Sequence, residues 1–171
     1  MTLVPPANRG PEPERTASER DLLISWLDWH RATMLTKCEG LDSAQLGHRS
    51  CPPSDLTLLG LVRHLTEIGR NYFATWAGTT DLPHYYSDED PDGDFNLPDP
   101  LTDEAVHEAF DTWQAECDRS RQTVSAAPSL DHPNAKGVPL RWVLVYVLRE
   151  YTRHNGHADL LRHAIDGATG E

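Results

Sequence analysis

The chain has 171 residues, 38% hydrophobic and 25% charged, which fits one globular domain large enough to bury a core without staples. Its formal charge of -12 argues against nucleic acid or an anionic membrane as partner, since their phosphates would be repelled overall. Three scattered cysteines without a CxxC pair exclude a disulfide frame and a thiolate zinc site. No apolar run reaches spanning length and no signal-peptide pattern opens the chain, so the expected location is the cytoplasm.

Residues 1–15 are rich in Pro, Glu and Arg and read as a flexible tail, leaving 16–171 as a single domain. Thr16-x-x-Glu19 forms a capping box for a first helix that runs to about residue 39 and stops at Gly40. Leu23, Trp26, Leu27, His30 and Met34 make its core-facing stripe, with His30 expected as a hydrogen-bonded core residue. Cys51-Pro52-Pro53-Ser54 keeps 40–55 out of continuous helix. A second helix over about 56–76 turns Leu61, His64, Leu65, Ile68 and Tyr72 inward.

The segment 79–100 is acidic and proline-rich. Its Asp88-x-Asp90-x-Asp92-Gly93 resembles the start of an EF-hand loop, but Pro91 and Pro98 interrupt the pattern and Asp99 replaces the bidentate Glu. A solvated acidic lid or edge loop is the expectation. Thr102 caps a third helix, with Asp103 and Glu104 in its first turn and a stripe of Val106, Phe110, Trp113, Cys117 and Val124. His107 and His132 fall on a polar face and in a loop. Pro139 opens a fourth helix that Gly167 ends. Four long helices without alternating strand segments predict an all-α, antiparallel four-helix bundle, with the long acidic loop between helices two and three.

On the fourth helix Glu150, His154 and His157 share a face (i, i+4, i+7) with Val143, Val147 and Leu161. Burying a carboxylate and imidazoles costs roughly several kcal/mol unless something pairs with them. His64 from helix two, with Glu150 and His154, makes a two-histidine, one-carboxylate set that leaves a position open, as catalytic zinc sites do. Two other readings remain open on spacing alone. Glu150 can bond to His64 or His154, or be neutralised by Arg149 or Arg153, with no metal at all. His157 can also replace Glu150 as third ligand through its i, i+3 pairing with His154.

The runs Leu58-Leu59-Gly60-Leu61-Val62-Arg63-His64-Leu65 and Glu150-Tyr151-Thr152-Arg153-His154-Asn155-Gly156-His157-Ala158-Asp159 resemble the two signature helices of the DinB-like (YfiT-like) superfamily. Within it they are similar to the actinobacterial branch related to mycothiol-dependent maleylpyruvate isomerase. The resemblance spans about 19–167 and implies a four-helix bundle with a three-residue divalent-metal site, here His64, Glu150 and His154. His157 then falls in the pocket behind the ligands. The isomerase's additional C-terminal domain has no counterpart in this chain, which speaks against maleylpyruvate isomerisation itself.

The resulting expectation is a metal-dependent enzyme that activates a low-molecular-weight thiol of the mycothiol type for S-transfer or thiol-dependent isomerisation of a small electrophile. Zinc is the expected metal, with nickel, iron or manganese also suited to such ligands. His157 and Tyr146, one turn before Glu150, are the candidate catalytic groups. The alternatives are a metal-hydroxide hydrolase, and a non-catalytic, metal-stabilised binding or homodimerisation module that uses its acidic loop as contact surface.

Overall fold

In the computed structural model, which describes residues 2–169, the first helix, α1, spans Glu19–Cys38. Its cap is Ser18, whose hydroxyl accepts from Asp21 N at 3.3 Å, and not Thr16 as the capping box predicts. The buried face of α1 also differs from the expected stripe. Leu27 and Met34 are buried, whereas Leu23, Trp26 and His30 are only half-buried and Arg31 and Lys37 lie inside. Each cation has a partner from another helix: Arg31 donates to Ser120, besides Asp28 on α1 itself, and Lys37 meets Asp159 at 2.6 Å. A buried charge is tolerated where such a partner exists.

The connector after Gly40, expected to be irregular, contains a four-residue helix, α2 (Ser43–Leu46). Asp42 and Gln45 close a reciprocal capping box around it, which anchors the fully buried Leu46. Helix α3 (Leu58–Gly69) starts two residues later than its pattern suggests, because the Thr57 hydroxyl takes Gly60 N at 3.0 Å. It is buried nearly all round, as expected for a helix with neighbours on several sides, and it packs on α1 and on the two long helices that follow. From Arg70 to Ala74 the ladder widens into a π-turn before the helix ends near Trp76.

Helix α4 (Asp103–Ala126) is capped by Thr102, whose hydroxyl accepts from Ala105 N at 3.2 Å. Its apolar stripe is the predicted one: Val106, Phe110, Trp113, Cys117 and Val124 are all buried. Helix α5 (Leu140–Asp166) follows Pro139 and ends at Gly167, whose φ of 78° only glycine adopts freely. It packs most extensively on α1 and also on α3. The Trp113 indole donates to the Tyr151 hydroxyl at 2.9 Å, tying α4 to α5 through the core. Among the described residues there is no strand, only an isolated bridge between Pro133 and Pro139, and no helix is long and apolar enough to cross a membrane.

The N-terminal segment, expected as a flexible tail, places Val4 in the core and the Arg9 guanidinium 4.7 Å from the centre of the Trp29 ring. The segment 79–100 contains no helix. Two glycines should respond to alanine with opposite signs. At Gly93 a Cβ would lie 2.2 Å from the Tyr85 carbonyl oxygen, a backbone clash, so Gly93→Ala should destabilise by about 1–3 kcal/mol. At Gly156, inside α5, a Cβ meets nothing within 4 Å, so Gly156→Ala should stabilise by about 0.5–1 kcal/mol. Urea unfolding of both variants checks the pair.

Candidate metal centre

The i, i+4 spacing on α5 brings Glu150 and His154 together, and the contact of α3 with α5 adds His64. One donor atom from each of the three lies within 4.8 Å of the other two. The His154 Nε2 is 3.4 Å from Glu150 Oε2, and the His64 and His154 rings meet edge to face with centroids 4.7 Å apart. Glu150 and His154 are buried, while His64 keeps about a fifth of its side chain in solvent. The set therefore sits at the edge of the helix interface with one side open.

Each donor has a second partner outside the set. His64 Nδ1 is 2.7 Å from Asp94 Oδ2, and Phe95 stacks on the His64 ring at 4.9 Å. Glu150 Oε1 accepts from the Arg149 guanidinium. His154 Nδ1 lies 3.2 Å from His157 Nδ1. His157 thus stands on the opposite edge of the His154 ring from Glu150. Glu150 makes two of the contacts that spacing allowed without a metal, to Arg149 and to His154, while His157 meets His154 and is not one of the three convergent donors.

The donor chemistry fits a divalent cation. Two imidazoles and one carboxylate are ligand types of zinc and its first-row neighbours. Burial first, then the His64 and His157 rings beside it, push His154 from 6.5 down to about 4, so it is neutral and can offer a lone pair at neutral pH.

Tyr146, the other candidate catalytic group, lies outside this set. Its ring packs 4.1 Å from that of Tyr72 and 5.0 Å from that of Trp142, with the Arg149 guanidinium 4.6 Å from its centre. Burial, then Tyr146, pushes the Tyr72 hydroxyl up to about 12, which keeps it a hydrogen-bond donor. Trp142 is half exposed, so the aromatic cluster forms a wall open to solvent beside Glu150. His30, though half-buried, has the hydrogen bonding expected of it: Asn155 Nδ2 lies 3.2 Å from its Nδ1 and donates to its carbonyl at 3.0 Å. A cleft of about 310 Å³ is lined by Ser43, Arg49, Thr57, Phe95 and Leu101, and none of the three donors lines it.

Asp94 and Phe95 escaped the sequence reading. Loop residues carry no periodicity, and 30 positions separate Asp94 from His64. The one available signal was an aromatic beside an aspartate, between Gly93 and Asn96, in an otherwise acidic stretch.

An all-helical protein with two histidines and a carboxylate converging between two helices defines the class. The chain belongs to the mycothiol-S-transferase family, whose model matches residues 22–167. No curated protein and no solved structure matches it.

The His154 shift has a consequence for the metal-free protein. The unfolded chain protonates this residue near 6.5 and the folded chain only near 4, so between those values the unfolded state binds more protons. Stability should therefore fall as pH drops through that window. Denaturant unfolding in chelator at pH 7.5 and 5.0 checks this: His154→Gln should lose less stability than the natural chain over the same interval.

Proposed function

We propose that this protein holds a divalent cation on His64, Glu150 and His154 and uses it to activate a low-molecular-weight thiol of the mycothiol type for S-transfer to a small electrophile. The observation that carries the reading is the convergence of these three donors in a member of the mycothiol-S-transferase family. In this reading the four long helices form an antiparallel four-helix bundle, and the metal, with zinc first and nickel, iron or manganese also suited, sits between α3 and α5. When bound, such a cation supplies the Lewis acidity that lowers the pKa of a thiol or a water.

The chain's own groups do the rest. Cys38 and Cys117 are buried and their thiols pushed up by that burial, Cys51 turns its Sγ to the Leu160 carbonyl at 3.5 Å, and none of the three is among the convergent donors, so in this reading the sulfur nucleophile is an external thiol. The thiol loses its proton, its sulfur forms a bond to the electrophilic carbon, and the leaving group departs with the electron pair of the broken bond. His157, against the Nδ1 edge of His154, holds that ring in place and lies where a proton can be passed on. The aromatic wall of Tyr72, Trp142 and Tyr146 seats the organic part of the substrate, and the Tyr146 hydroxyl donates a hydrogen bond to it.

His64→Ala and His154→Ala should each abolish stoichiometric zinc binding, measured by elemental analysis after dialysis, together with the rise in melting temperature that zinc gives the natural chain. His157→Ala should keep the metal and lose ~10–100-fold in affinity or turnover. Turnover of an electrophile only when the thiol is present supports the reading. Equal turnover without thiol would replace it by hydrolysis, and no turnover with zinc-raised stability would leave a binding module.

A further inference from the structure

We propose that Asp94 is a positioning residue: the acidic loop folds back to hold His64 in the tautomer that carries its proton on Nδ1, leaving the Nε2 lone pair for the donor cluster. The inference rests on the reading that His64 is a ligand. It stands on how selectively the loop is buried. Asp88, Glu89, Asp90 and Asp92 are exposed, as a solvated acidic loop requires, but Gly93 and Asp94 are buried. Asp94 is 7% exposed and its Oδ2 lies 2.7 Å from His64 Nδ1. A carboxylate is acceptor only, so at neutral imidazole the proton on Nδ1 is the one that makes this bond.

The rest of the loop is built to keep Asp94 there. From α3, one residue before His64, the Arg63 guanidinium donates to the Gly93 carbonyl at 2.7 Å and to the Asn96 carbonyl at 2.9 Å, bracketing Asp94 and Phe95. The Asp92 carbonyl accepts from Phe95 N at 2.8 Å and Asn96 N at 3.1 Å, closing a tight turn. The Asn96 amide donates to Asp90 at 2.7 Å. Gly93 passes so near the Tyr85 carbonyl that no side chain fits there. Phe95 then covers one face of the His64 ring, at an interplanar angle of 23°. The ring is thus held at its Nδ1 edge and on one face, while His154 stands at another edge. Asp90, the second aspartate of the calcium-like run, accepts from Asn96, and Asp94, just past the run, faces the histidine. A carboxylate behind a ligating histidine fixes ring orientation and raises ligand basicity, and its loss costs ~10–100-fold in metal affinity.

The test uses the full chain and two readouts, one of them independent of metal. In chelator-treated protein at pH 8, above the ordinary imidazole range, long-range nitrogen–proton NMR should show His64 protonated on Nδ1. In Asp94→Ala the proton should move to Nε2. Zinc affinity, measured by chelator competition, should fall ~10–100-fold in Asp94→Ala. Asp94→Asn, which keeps the shape and removes the charge, should fall between the two. Urea unfolding of the metal-free variants runs in parallel, and a purely structural contact would lower stability while leaving tautomer and zinc affinity as they are. Protonation on Nε2 in the natural chain overturns the proposal without any variant, and so does an unchanged zinc affinity in Asp94→Ala. A natural chain that binds no zinc sinks the functional reading alone, because the tautomer measurement still decides the role of Asp94.

Discussion

Placing a carboxylate and two imidazoles in the seam between α3 and α5 is the constraint around which the neighbouring structure is arranged. Desolvation would cost several kcal/mol, roughly, if these groups were left bare. The chain meets that cost with one partner for each: Arg149 for Glu150, Asp94 for His64, His157 for His154. In every case the partner engages one polar atom and leaves the other turned toward the shared point. A second buried carboxylate–histidine group on α3 makes the contrast. Both oxygens of Glu67 are consumed, Oε1 by Arg70 and by Tyr85 N and Oε2 by His84. That group is closed and holds the loop to the helix. The set of His64, Glu150 and His154 is open, and openness separates a site from a strut.

The two groups are mechanically joined. Helix α3 carries Arg63, His64 and Glu67, with Arg70 directly after it, and each reaches to the loop or to a partner that does. Tyr85 lies under this array, its ring 4.4 Å from the Arg63 guanidinium and 5.5 Å from that of Arg70. The π-turn begins at Arg70, the last of these residues. Such widened turns commonly lie near functional sites, and here the turn places Tyr72 against Tyr146 in the aromatic wall. One face of α3 therefore orders the loop, aims one donor and, past the π-turn, supplies part of the aromatic wall.

What the sequence disclosed follows the reach of helical periodicity. The spacing of Glu150, His154 and His157 places them on one face whatever the tertiary structure, and the inward position of His64 is read in the same way. The α4 stripe was legible for that reason too. Features depending on partners distant in the chain were not. Arg31 and Lys37 look like surface cations until Ser120 and Asp159 are brought to them from α4 and α5. Thr16 and Ser18 both fit a cap, and only the backbone path chooses Ser18. The four residues of α2 are too few for a periodic signal, although Asp42 and Gln45 form a capping box. Asp94 lies in a stretch whose composition says solvent, and its burial follows from Arg63 and Gly93, not from its own chemistry.

Charge around the site bears on which molecule comes to it. The chain carries -12 overall, and several of its cations are spent internally. Arg31, Lys37, Arg63 and Arg70 are buried against their own partners, so they contribute little to the outer field. Arg149, about half exposed, and Arg153, exposed, are different: both stand on α5 beside the donors. Arg149 balances Glu150, and Asp94 behind His64 is offset by the neighbouring Arg63, so the fixed charges around the donors largely cancel. Any divalent cation held there then leaves the centre positive within an acidic surface. Such a local field favours a small anionic sulfur or oxygen nucleophile over neutral competitors, while the surrounding negative charge disfavours large polyanions. In the proposed reading, the negative polarity of the whole chain is thus reversed at the place where a thiolate would bind.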